Sequence, residues 1–204
     1  MKEEKYINKI LDFWFGEMKN SGVPDKKKQK MWWQKDKNLD KLIKKEFEIL
    51  LKRAKSGEFE EWTDNPEGTL AVVILLDQFS RHIYRDTVNA FSQDEMALNI
   101  VISAMLKGFD KQLIAVKKTF FYMPLMHSED IDIQIKSVEC FSELEKEYIR
   151  NDETADIVKI NKKYAIMHYE IIKRFGRYPH RNMVLGREST AEEIEFLKEQ
   201  GSSF

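Results

Sequence analysis

Two short stretches hold most of the arginine in a chain whose cations are otherwise lysine. Six of the eight arginines fall in DQFSRHIYR, Asp77 to Arg85, and RFGRYPHRNMVLGR, Arg174 to Arg187. The second stretch contains no Asp or Glu. Lysine suffices for solubility, whereas a planar guanidinium is needed where a carboxylate or phosphate is gripped twice or a ring is stacked. Asp77, Arg81, Tyr84 and Arg85 lie three and four apart and share a helix face, so Asp77 can orient Arg81. Gly176, Pro179 and Gly186 turn the second stretch tightly, presenting Arg177, His180, Arg181 and Arg187. The implied chemistry is the grip of negative charge, with His180 as acid or base. The competing reading is structural: buried Arg–Asp pairs tie helices together, and Arg near a helix C-terminus caps carbonyls.

A third polar knot, Met123-Pro124-Leu125-Met126-His127-Ser128-Glu129-Asp130, joins two helices. Ser128 suits an N-cap, with Glu129 and Asp130 favouring the helix N-terminus. A junction beside Pro124 is a good place to aim His127 and Glu129 into a cleft. His127 or His180 would then transfer protons, and Glu129 or Asp77 would orient or deprotonate water. His168 reads as an interior histidine and Cys140 as a small core residue. Trp14, Trp32 and Trp33 read as core or cleft wall, because no basic stripe accompanies them. No phosphate loop, dinucleotide fingerprint, serine elbow or HExxH occurs, and one Cys with four scattered His makes no standard zinc site. No metal or cofactor is expected.

The chain has 204 residues, 42% hydrophobic and 34% charged, with a net charge of -1. That composition excludes a disordered chain and a membrane protein, and it gives no bulk drive toward nucleic acid or anionic lipid. The longest aliphatic run, Leu70 to Leu76, is far short of the ~20 residues that span a bilayer. The charged start of the chain has no apolar signal region. A soluble protein of the reduced cytoplasm is expected, in one domain over residues 1–204.

The elements that must position these residues are helices. Apolar residues recur at three and four nearly throughout, with Gly16, Gly57, Gly108, Gly176 and Gly201 as stops. Asn65-Pro66-Glu67 is a start signal, and Ser189-Thr190 with Glu192 and Glu193 makes a capping box. The spacing predicts roughly eight helices, with Lys111 to Met126 as one of them. Asn20 to Lys30 reads as a polar, lysine-rich loop. Leu70 to Leu76 reads as a helix buried on nearly all sides. Short connections favour antiparallel hairpins. Phe204, after the last capped helix, is expected to be buried.

The segments LDFWFGE, LLDQFSRHIYR, FFYMPLMHSED, IIKRFGRYPHRN, LGREST and the terminal GSSF, in order along the chain, resemble the bacterial family catalogued as domain of unknown function 924. The resemblance implies an all-α, tetratricopeptide-like superhelix and no established activity. It adds Gln78, Ser128 and Asn182 to the motif positions, beside Asp77, Arg81, Tyr84, Arg85, His127, Glu129, Arg177, His180, Arg181 and Arg187. The chain departs from the family pattern at His82 and Ile133. Two functions compete. One is a cleft that binds an anionic small molecule and hydrolyses or transfers part of it. The other is a superhelical scaffold that grips a peptide carboxylate.

Overall fold

The computed structural model describes residues 2–18, 22–148 and 152–203. Among these residues the α-helices are α1 Lys2–Phe15, α2 Lys26–Trp33, α3 Lys37–Lys55, α4 Pro66–Val73, α5 Ser80–Ile83, α6 Asp94–Leu106, α7 Ala115–Met126, α8 Ile131–Glu147, α9 Asp152–Phe175 and α10 Ala191–Phe196. No strand is present among them, and the fold is all-α. No helix among them is long and apolar enough to cross a membrane.

The start signals act as their residues require. Asn65 Oδ1 accepts from the Gly68 N–H at 2.8 Å, and Pro66 opens α4 where no N–H is needed. Thr190 and Glu193 form the reciprocal capping box of α10. Leu70 to Leu76 is helical and no residue in it exceeds 3% exposure. That run holds one departure: Ile74–Phe79 is a π-helical turn between α4 and α5. Asp77 and Gln78 are buried side by side in it, as are the consecutive residues of α4 before it.

Two further departures have local causes. The lysine-rich segment includes α2, because Asp25 caps it by accepting from the Lys28 N–H at 2.9 Å. Trp32 then anchors α2 by donating from Nε1 to the Trp14 carbonyl at 2.9 Å. Lys111 belongs to a 3-10 turn, Asp110–Gln112, and α7 begins only at Ala115. Phe204 lies outside the described residues.

An aromatic hub holds α1, α3, the π turn and α7 together. Trp14 meets Phe79 at 5.5 Å and Phe120 at 5.6 Å, ring edge to ring face, and Phe47 meets Phe79 at 4.6 Å. The hub thereby holds the π turn beside the middle of α7. Helices α8 and α9 pack on each other and on α7. Gly176, at a φ of 69°, ends α9 and turns the chain back toward α7.

The first turn of α4 touches backbone directly. A Cβ on Gly68 would stand 2.2 Å from the Trp62 carbonyl oxygen, and backbone cannot yield as a side chain can. Gly68→Ala is therefore expected to lower unfolding stability by about 1–3 kcal/mol in urea titration. Leu106→Ala, at a site 86% exposed, should stay within about 0.5 kcal/mol of wild type.

Candidate functional site

The π turn, the end of α7, α9 and the 3-10 turn Pro179–Arg181 enclose a cavity of 820 Å³. That lies within the usual range for small-molecule sites, roughly 300–1,000 Å³. Its polar wall includes Gln78, Arg81, His127, His168, His180 and Arg181. Its apolar wall includes Trp33, Met123, Met126, Ile160, Tyr164 and Met167. A second cavity, 630 Å³ between α3, α4 and α6, is lined by Ser92, Asn99, Ser103, Glu60, Glu95 and Lys107 among others and contains no histidine.

Behind the polar wall sits Asp77, with no exposed surface. His127 Nδ1 lies 2.6 Å from Asp77 Oδ1. Gln78 Nε2 donates to Asp77 Oδ2 at 2.5 Å, and Arg81 Nη2 stands 3.5 Å from Oδ1. Burial alone would raise the Asp77 carboxyl, but Arg81 and then His127 outweigh it and hold it well below the usual carboxylate range. An ionised carboxylate only accepts, so Nδ1 of His127 carries the hydrogen and Nε2 is left as the ring's acceptor. Burial and the Arg81 charge lower the His127 pKa below 6.5 against the pull of Asp77, so the ring is neutral at pH 7. His168 lies well below 6.5 through burial and the neighbouring His127, and burial pushes His180 down to about 4.

Both terminal nitrogens of Arg81 are engaged. It forks onto Asp94 at 2.9 and 3.1 Å and also donates to the carbonyls of Asp77 and Ala90, both at 3.2 Å. Arg181 is held differently. Its Nη1 donates to Asp94 Oδ2 at 3.1 Å, and its plane lies over Phe91 and Tyr178 at 4.7 and 4.5 Å. Among the described residues its Nε is buried without a hydrogen-bond partner, and only Nη1 of its three nitrogens is bonded. Asp94 thus clamps two guanidinium groups from distant segments.

The sequence-predicted residues separate into two groups. Gln78, Arg81, Arg85, His127, His180 and Arg181 line the cavity, with Asp77 directly behind them. Arg85 is bound by Asp40 in a fork of two 2.7 Å bonds, and His82 shares the same carboxylate at 2.8 Å. Glu129, Arg177, Asn182, Arg187 and Tyr84 lie elsewhere. Arg187 grips Glu129 at 2.6 and 2.9 Å, and Glu129 also accepts from the Tyr178 N–H at 2.8 Å. Arg177 forks onto Glu193 at 2.7 and 2.8 Å, while Asn182 Nδ2 reaches Ser189 at 3.1 Å. Tyr84 lies beneath the Lys55 ammonium at 5.5 Å. The Glu129 contacts fasten the loop after α9 onto the body, and those of Arg177 and Asn182 tie the loop to the segment that leads into and through α10. Ser128 is not the cap of α8. Asp130 accepts from the Asp132 and Ile133 N–H groups, while Ser128 Oγ accepts from the Asp130 N–H at 3.1 Å.

Sequence reasoning missed Asp94 and Asp40. Each sits in the first turn of its helix, where an acid reads as a partner of the helix dipole. No local signal marks either as the partner of arginines 13 and 45 residues away. Among the described residues no three His, Cys, Asp or Glu side chains are grouped to hold a metal ion.

An all-helical fold with a cavity walled by the His127–Asp77 pair defines the class. The chain belongs to the bacterial family of proteins of unknown function, domain of unknown function 924, which matches residues 10–201. It is similar to a solved protein of unknown function from Agrobacterium tumefaciens, at 30% identity and a TM-score of 0.79, over 96% of this chain and 98% of that one. No curated protein matches the chain.

Two outcomes follow from the electrostatics. Asp94→Ala strips the buried Arg181 and the half-buried Arg81 of a partner and should cost roughly 3–5 kcal/mol in urea unfolding. Unfolded His180 titrates near 6.5 and folded His180 near 4, so only the unfolded chain takes that proton in between. Stability should therefore fall as pH drops from 6.5 to about 4, and His180→Gln should make the fall shallower in urea midpoints.

Proposed function

We propose that the 820 Å³ cavity is a small-molecule active site in which His127 is a general base. The single observation behind this reading is the 2.6 Å contact between His127 Nδ1 and the buried Asp77 carboxylate. That pairing holds the imidazole in the tautomer whose Nε2 can accept a proton, and the depressed pKa keeps Nε2 unprotonated at neutral pH. Arg181 supplies donors for an oxygen on which negative charge develops. Together these groups suit hydrolysis of an acyl bond. A water O–H bond breaks, its proton passing to Nε2 as its oxygen bonds to the carbonyl carbon. The tetrahedral oxyanion is held by Arg181. Its collapse breaks the bond to the leaving group, which takes the proton back from His127.

The arginine count alone suggested a strongly anionic ligand gripped by several guanidinium groups. The cavity leaves Arg181 for that task, since Arg81 and Arg85 are forked onto carboxylates of the protein itself. A scaffold that grips a peptide carboxylate has less support, because Arg177 and Arg187 face Glu193 and Glu129.

Hydrolysis of a panel of 4-nitrophenyl esters by the purified protein tests the reading. Activity should require neutral His127, and so should decline as pH falls below 6.5 through its lowered pKa. His127→Gln should reduce kcat by about 10²–10⁴ while the melt stays cooperative. Equal rates for wild type and His127→Gln at every pH would defeat the base.

A further inference from the structure

We propose that the ligand is an uncharged acyl compound, an ester or carboxamide, whose carbonyl oxygen bonds to Arg181 and whose apolar chain runs along Trp33, Ile160 and Met167. This rests on the cavity being the small-molecule site argued above, and it narrows what enters it.

Charge on the inner polar wall is already balanced. Arg81, Arg85 and Arg181 are three cations, and Asp77, Asp40 and Asp94, which bind them, are three anions. The other charged lining residues, Lys35, Asp86 and Lys163, are exposed at the solvent-facing rim. The three imidazoles of His127, His168 and His180 are neutral at pH 7, each depressed chiefly by burial. A ligand that brought one negative charge would leave this buried wall with a net charge, and a dianion would double it. An uncompensated buried charge costs several kcal/mol. A carbonyl brings no charge, yet offers the acceptor that Arg181 lacks. The guanidinium faces are covered by Phe91 and Tyr178 and its Nε is buried, which leaves Nη2 as the binding atom.

The opposite wall is apolar and reaches solvent. Trp33 is 55% exposed and stacks on Tyr164 at 6.3 Å with 14° between planes. Ile160 is 52% exposed beside it. Large apolar side chains left open at a cavity mouth gain by covering an apolar chain. The cavity is far larger than a carbonyl group needs, so the ligand carries a body as well as a head.

Four probes decide the ligand class: octanamide, octanoate, octyl phosphate and inorganic phosphate, each in excess at constant ionic strength and pH 7, read as the shift in Tm of the full chain. Octanamide should stabilise most, octanoate less, and both phosphates least. Trp33→Ala, at an exposed position and so expected to fold, should weaken octanamide binding about tenfold. His127→Gln should still bind octanamide, which separates this proposal from the catalytic one. A larger shift with octanoate or either phosphate would overturn the proposal. So would the absence of any octanamide shift, or an unchanged octanamide affinity in Trp33→Ala.

Discussion

A carboxylate with no exposed surface, Asp77, constrains everything around it. An ionised group in such a place survives only if neighbours replace the water it has lost. Three do so: Arg81, His127 and Gln78. Each requirement then passes outward. Arg81 needs a second partner and finds Asp94, and Asp94 holds Arg181 from the loop after α9. His127 must stand at the end of α7, and the aromatic hub of Trp14, Phe79 and Phe120 holds the middle of that helix beside the π turn. One buried charge thereby sets the relative position of four parts of the chain.

The same charge chain separates the number of arginines from the positive charge they leave unpaired. A guanidinium forked onto a carboxylate has its donors engaged and its field cancelled nearby. Arg81, Arg85, Arg177 and Arg187 are all in that condition. Their value is geometric: planar forks fix angles between helices that a lysine would leave loose. Arg181 differs because Asp94 is already shared, so some of its donors remain unused. Arg187 also has an unbonded Nε, and what sets Arg181 apart is that its spare capacity lies on the cavity wall.

Much of the helical framework was legible in the sequence, because its signals are local. Asn65 with Pro66, and Thr190 with Glu193, cap helices through bonds spanning three residues. Both arginine-rich segments contribute residues to the cavity, and His127 and Asp77 are both candidates in the sequence. Their mutual contact was not visible, since the residues are fifty apart in sequence and meet only through packing of the π turn on α7. The π turn itself is hidden, because seven consecutive apolar residues carry no phase that would reveal an inserted residue. The division of the second arginine stretch was also illegible. Arg177, Arg181 and Arg187 fall within one loop, yet only Arg181 reaches the cavity, a choice made by Glu193, Asp94 and Glu129.

The central claim is that Asp77 holds His127 neutral with its hydrogen on Nδ1, so that Nε2 is a base at physiological pH. Long-range ¹H–¹⁵N correlation of the histidine rings reads that state directly, with His127→Gln used to assign the signal. At pH 7 the account predicts one His127 nitrogen with the shift of a protonated, pyrrole-type Nδ1 and the other with that of an unprotonated, pyridine-type Nε2, a state that persists as the pH is lowered through 6.5. A doubly protonated ring at pH 7, or the hydrogen on Nε2 instead, would contradict it.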